Sequence, residues 1–119
     1  MAAMAAMAAS GCHKSGEQRL EGHWRGTNVE GVSPDAQAAA TAFALDTELD
    51  FHDGKVLVTT PRDKISSAFK VTRDDKGTVV VATELDGAKD PQTFAFADDN
   101  TMRWPVTEGV RITFRRVSR

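Results

Sequence analysis

The side chains best able to do chemistry in this 119-residue chain are one cysteine, three histidines and several closely spaced carboxylates. The histidines, His13, His23 and His52, stand in three different settings without the spacing of metal ligands. A lone Cys12 can form neither an internal disulfide nor a cysteine zinc cluster, and no base lies near it in sequence. No serine occupies a nucleophile elbow. The sequence therefore predicts no catalytic residue, no cofactor, no metal site and no enzymatic activity.

The carboxylates Asp46, Glu48 and Asp50 share one face of a predicted strand with His52. They alternate with a clean apolar set, which favours a solvated outer face over acid-base chemistry, because functional carboxylates need partial burial to shift their pKa. Residues 98–100, Asp-Asp-Asn, resemble a calcium loop only superficially. They lack a distal bidentate glutamate and a supporting glycine, so a hairpin turn is the better interpretation.

Composition places the chain among ordinary soluble domains. It is 40% hydrophobic and 27% charged, with a net charge of −2. The near-neutral balance argues against nucleic-acid binding, which normally requires a basic stripe. The length leaves room for one domain, and no apolar run reaches the roughly 18 residues of a membrane span.

The elements that must position these side chains are mainly strands. Between residues 43 and 51 four large apolar residues alternate with mostly polar ones, the two-residue period of a strand with one buried face. The apolar members that define this strand are Phe43, Leu45, Leu49 and Phe51. Asp53-Gly54 then predicts a two-residue type I′ turn. Folding about this turn sets Phe51 opposite Val56 and Leu49 opposite Val58, so that both strands face one core.

Similar hairpins follow along the rest of the chain. Strands are predicted at residues 20–25, in the hairpin of residues 43–61 with two strands, and at residues 65–73, 78–85, 92–97, 102–104 and 110–117, with Pro105 ending the seventh. Ser33-Pro34-Asp35 before an alanine run predicts one short helix between strands 1 and 2. The sequence thus predicts an all-β fold, an antiparallel up-and-down barrel of eight strands, with a two-sheet sandwich as the alternative.

Several motifs together match the pattern of a known family: Gly22-His23-Trp24 on the first strand, the hairpins around Asp53-Gly54 and Thr101-Met102, and an arginine-rich last strand. On these motifs, which span residues 20–117, the chain resembles the small bacterial lipocalin-like lipoproteins. The resemblance implies a barrel floor closed by the Gly-x-Trp tryptophan, with an arginine of the last strand stacked on it. The floor residues are Gly22, Trp24, Arg116 and Arg115. Strand parity favours Arg116, which an alternative interpretation makes the anchor of a ligand carboxylate.

A small ligand of apolar or amphiphilic character is the expected occupant of such a barrel. The side chains expected to form its cup are Phe51, Phe69, Phe94, Phe96, Met102 and Trp104. The alternative is a solid barrel that binds another envelope protein as an inhibitor or assembly factor. That alternative would need a contiguous apolar patch on the wall, where Leu57, Val80 and Val117 are predicted to face outward.

The segment before the barrel predicts an anchor. Ala9-Ser10-Gly11-Cys12 resembles a lipobox, the site at which bacterial lipoprotein precursors are cleaved and lipidated on cysteine. The alanine- and methionine-rich start lacks the basic residues of a full secretion signal. Residues 1–18 are thus interpreted as a signal remnant, lipobox and polar tether, and residues 19–119 as the barrel domain. This predicts a lipid-anchored protein of the bacterial envelope, on the outer membrane and facing the periplasm or the cell surface.

Overall fold

The computed structural model describes residues 15–83 and 91–119. In these ranges the chain forms a closed barrel whose eight strands neighbour one another in sequence order, with β8 paired back onto β1. Every pairing is antiparallel, which confirms the predicted up-and-down topology. The strands are β1 (Gly22–Glu30), β2 (Glu48–His52), β3 (Lys55–Thr59), β4 (Lys64–Asp75), β5 (Thr78–Thr83), β6 (Gln92–Asp98), β7 (Thr101–Thr107) and β8 (Val110–Ser118).

The β2–β3 hairpin has the predicted register. Phe51 pairs with Val56 and Leu49 with Val58, and the turn residues Asp53 and Gly54 have φ values of 52° and 76°. Both values lie in the left-handed region that a type I′ turn requires. Local turn chemistry therefore sets which side chains of β2 and β3 enter the barrel.

The predicted short helix between β1 and β2 is confirmed, and it extends past the alanine-rich segment to Leu45. A 3-10 turn (Pro34–Ala36) leads into an α-helix (Gln37–Leu45), which is the second helix in chain order and is called α2. The prediction that Phe43 and Leu45 belong to β2 is wrong: both lie in α2, with 39% and 42% of their surface exposed. The alanine-rich segment before them favours helix, and this outweighs an apolar alternation of only two residues.

Pro105 does not end β7. The strand continues to Thr107, and Pro105 pairs with Arg111 of β8 just before a register shift. Proline removes one ladder donor, and an irregularity in the ladder tolerates that loss.

A first helix, α1 (Gly16–Leu20), closes one end of the barrel. Ser15 and Gln18 form a capping box, in which each side chain bonds the backbone of the other. Leu20 is completely buried, and α1 contacts β4. Residues 16–18, expected to be part of a polar tether, therefore belong to the folded barrel, and β1 begins at Gly22, after the helix.

The two ends of the barrel differ. The end that carries α1 and the β2–β3, β4–β5 and β6–β7 turns is called the floor. The opposite end, called the mouth, carries α2, the β3–β4 loop and the β7–β8 turn. Large buried side chains fill the floor half, and those that are fully buried and line no cavity include Trp24, Phe114, Leu20 and Met102. The core thus lies towards α1.

Candidate functional site

The floor is built around Trp24, which is fully buried. Its indole Nε1–H donates to the Leu20 carbonyl at 2.8 Å, so the last turn of α1 accepts the only polar hydrogen of the ring. Phe96 packs edge-on against the indole, with ring centroids 5.8 Å apart. Arg19 covers Phe96 from α1, its guanidinium carbon 4.6 Å from the ring. Aromatic rings and α1 together seal this end of the barrel.

Arg116 lies directly opposite Trp24 in the β1–β8 ladder. Its guanidinium carbon stands 4.2 Å from the indole centroid, a cation–π contact. The same guanidinium donates to the carbonyls of Arg19 at 2.8 Å, Asp99 at 2.9 Å and Glu21, and to Asn100 Oδ1 at 3.1 Å. Burial, helped by nearby Arg119, lowers the pKa of Arg116, and Asp99 acts in the opposite direction. Arg116 therefore joins α1, β1 and the β6–β7 turn.

Gly22 makes room for this arrangement. Its φ of 121° lies in a region that side-chain-bearing residues rarely adopt. A Cβ at this position would lie 2.5 Å from the Ser118 carbonyl oxygen and 3.0 Å from an Arg116 terminal nitrogen. The glycine of Gly-x-Trp is thus required by the close approach of β8 and its arginine. Arg115, the other arginine considered for the floor, is exposed and pairs with Arg25 on the outside.

The mouth half contains two adjoining cavities of about 450 Å³ and about 310 Å³. Val58, Trp104 and Val106 line both, so the two spaces share a wall. The remaining lining of the larger one is Val29, Val32, Ala40, Phe43, Thr47, Thr60, Val110 and Ile112. The remaining lining of the smaller one is Leu49, Phe51, Val56, Val81, Thr83, Gln92 and Phe94. Both volumes lie within the range of small-molecule sites.

The two spaces together are called the cup. Aromatic rings form its lower wall: Phe94 lies 5.7 Å from Trp104 and 5.7 Å from Phe51, measured between centroids. Trp104 is oriented by its Nε1–H, which donates to Gln92 Oε1 at 2.8 Å. The upper wall consists of small aliphatic side chains and α2. The cup is thus an apolar space with a rigid aromatic base.

Three of the six residues expected to form a cup do line it, namely Phe51, Phe94 and Trp104. The other three line neither cavity. Phe69 packs edge-on against Phe51 at 5.2 Å, Met102 is fully buried, and Phe96 belongs to the floor. The sequence interpretation missed the small residues of the mouth half, such as Val58 and Val110. On β1 and β8 the signal was a small inward side chain near the mouth, Val29 or Val110, and a large one nearer the floor, Trp24 or Phe114.

Neither Trp24 nor Arg116 lines the cup. Four of the five guanidinium N–H groups of Arg116 donate to protein acceptors at the floor. This geometry contradicts the alternative in which Arg116 anchors the carboxylate of a ligand.

No family model, curated protein or solved structure matches this chain. Within residues 15–83 and 91–119, no helix has the length and apolarity to cross a bilayer. In the same ranges no group of three histidine, cysteine or acidic side chains could hold a metal ion. Cys12 lies outside the described residues, so its proposed lipidation stays a prediction.

A chain of histidines and carboxylates runs along the outer wall near the floor. His23 Nε2 lies 2.5 Å from Glu48 Oε1, and its Nδ1 lies 3.8 Å from Asp50. His52 contacts Asp50 at 3.0 Å and Glu21 at 3.2 Å. These side chains are between 32% and 56% exposed, so the predicted outer face is confirmed for Glu48 and Asp50. Asp46, in contrast, follows α2 and lies outside β2.

The three apolar residues predicted to face outward from the barrel wall lie apart from one another. Leu57 and Val117 are exposed, as predicted, and Val80 is partly exposed. They lie on β3, β8 and β5, and no two of these strands are neighbours. These three residues therefore form no contiguous patch of the kind that a partner-binding wall would need.

Proposed function

We propose that this protein is a lipid-anchored envelope protein whose barrel binds a small, largely apolar molecule in the cup. The observation that carries the proposal is the division of the interior into two halves. Large side chains pack the floor half, whereas valines, Ala40 and Ile112 leave the mouth half open. An apolar cavity without a guest loses dispersion contacts along its wall, so an apolar guest of matching size gains them.

The mouth is suited to guest entry. Phe43 of α2 and Val106 of β7 line the larger cavity and are 39% and 43% exposed. Both side chains thus reach from the cup to the protein surface. The C-terminal end of α2 is held by the Gly26 amide, which donates to the Thr47 carbonyl at 2.9 Å, and by Arg25, which donates to the Leu45 carbonyl at 2.7 Å. The helix therefore forms one side of a defined entrance.

The position of α1 supports an orientation for the anchored protein. Ser15 caps α1 at the floor, and three residue steps from Cys12 to Ser15 span at most about 11 Å. A lipid on Cys12 would hold the floor close to the bilayer and direct the mouth away from it. The guest would then be exchanged with the aqueous side. Mass spectrometry of the protein from its own host tests the anchor, and an unmodified Cys12 would remove it from the proposal.

Guest binding is tested with N-phenyl-1-naphthylamine, an uncharged apolar dye, monitored by dye emission and by quenching of tryptophan emission. Val58→Phe places a larger side chain at the wall shared by both cavities and should weaken dye binding at least tenfold. Leu57→Phe is the matched control, because the neighbouring side chain faces outward. Urea unfolding verifies that both variants fold. Absence of dye binding, or equal affinities of the two folded variants, would contradict the proposal.

A further inference from the structure

We propose that the guest of the cup is uncharged, so that the site selects neutral apolar molecules against fatty-acid-like anions of the same length. This inference rests on the proposed function and names the chemical class that the site takes. It is carried by the absence of charge from the lining: among residues 15–83 and 91–119, no charged side chain lines either cavity. An ionised head group inside the cup would lose its hydration without gaining a partner.

The polar side chains of the lining are themselves neutral. Thr83 and Gln92 lie at the edge of the smaller cavity, where β5 and β6 meet, and Thr47 and Thr60 contribute to the larger one. Thr47 is buried, and its hydroxyl donates to the Phe43 carbonyl at 2.7 Å. Hydroxyl and amide groups tolerate a neutral oxygen on a guest, but they do not supply the charge-assisted, bidentate hydrogen bonds with which arginine binds a carboxylate.

Arg116, an inward-facing cation of the barrel, is held at the floor by contacts within the protein. Arg116 is stacked on Trp24 at the floor and donates to three carbonyls and one side-chain amide. Along β8 the fully buried Phe114, with its ladder partner Met102, comes between Arg116 and Ile112, which pairs with Trp104 of the cup. To reach a carboxylate in the cup, Arg116 would have to leave four hydrogen bonds and the Trp24 ring.

Selectivity is tested by displacing N-phenyl-1-naphthylamine from the full chain with 1-decanol, decanoate and decylammonium at neutral pH, all below the concentrations at which they form micelles. We expect decanol to displace the dye at a concentration at least tenfold lower than either ion. Equal potency of decanoate would overturn the inference while leaving the proposed function intact. Failure of the dye itself to bind would instead contradict the proposed function.

Two further arms use the same molecules. At a pH below the pKa of decanoic acid, the acid becomes neutral and should approach the potency of decanol, whose own potency serves as the control for effects of pH on the protein.

Thr83→Lys adds a cation to the edge of the smaller cavity and should strengthen decanoate binding at neutral pH at least tenfold without strengthening decanol binding. Unchanged selectivity in both arms would overturn the inference.

Discussion

Arg116 and Trp24 face each other across the β8–β1 ladder, and the guanidinium of one stacks on the indole of the other at 4.2 Å. The pair joins the last strand to the first, which is where the barrel closes. The guanidinium of Arg116 also donates to the carbonyls of Arg19 and Glu21, both at the C-terminal end of α1. One side chain therefore connects barrel closure with the docking of α1.

Removing this guanidinium should destabilise the fold. Arg116→Ala loses the cation–π contact and leaves carbonyls of the floor without their donor, which we expect to cost about 2 to 4 kcal/mol. The free energy of unfolding in guanidinium chloride measures the loss. Arg115→Ala is the control, because that side chain is exposed, and it should change stability by less than about 0.5 kcal/mol. Equal effects of the two substitutions would contradict the assigned role.

Gly22→Ala should also destabilise the protein, for a reason that differs from a lost contact. The added Cβ meets the Ser118 carbonyl oxygen at 2.5 Å and imposes a strained φ. We expect a loss of at least about 2 kcal/mol. Gly54→Ala separates the two causes, since its φ is also positive but no atom lies within 4 Å of the added Cβ. It should cost about 1 kcal/mol. Thermal and urea unfolding measure the loss of stability in both variants. Equal losses would contradict the role assigned to the close approach of Ser118.

The β6–β7 turn should show a pH-dependent stability. The Asn100 amide donates to Asp98 Oδ1 at 2.8 Å and lowers the pKa of Asp98; desolvation opposes this effect, and Thr101 and Arg115 add to it. A carboxyl whose pKa is lowered by folding stabilises the native state above its unfolded pKa, and the gain disappears as the pH falls through the lowered value. Asp98→Ala should therefore be less stable than wild type at neutral pH, with the difference shrinking below about pH 4.

Unfolding midpoints measured across this pH range test the turn. Glu108→Ala, in the β7–β8 turn, is the control for removing a carboxylate from a hairpin. A gap between wild type and Asp98→Ala that stays constant down to the lowest pH would show that the carboxylate charge is not what stabilises the turn.

The His23–Glu48 contact should contribute little to stability despite its short distance of 2.5 Å. Both side chains are about one-third exposed, so water competes for the hydrogen bond between them. A double-mutant cycle with His23→Ala and Glu48→Ala should give a coupling energy of about 0.3 to 1 kcal/mol. The Arg73–Asp75 pair, at 3.0 Å but 72% and 63% exposed, provides a comparison with weaker expected coupling.

Several features could be read from local sequence because short-range geometry dictates them. Asp53-Gly54 specifies a turn with two left-handed residues, and that turn sets the register of β2 against β3. Alternation along β8 places Arg116 on the same face as Phe114, which is why parity distinguished it from Arg115. The capping box of Ser15 and Gln18 was equally visible in the sequence, although the segment was interpreted as a tether. Phe43 was assigned to a strand because, over so short a stretch, the apolar pattern of a strand cannot be distinguished from that of a helix.

The sequence by itself determined the all-β class, the register of the β2–β3 hairpin and the inward parity of Arg116, since each depends on residues close together in the chain. Only the tertiary structure decided that the mouth half is open and that Arg116 belongs to the floor. The volume of the cup depends on side chains of α2 and of most strands, which are far apart in the sequence. They come together only when the barrel closes, so local sequence patterns do not reveal the volume. The chain of His23, Glu48, Asp50, His52 and Glu21 likewise exists only because β1 and β2 lie side by side, 25 residues apart in sequence at the His23–Glu48 contact.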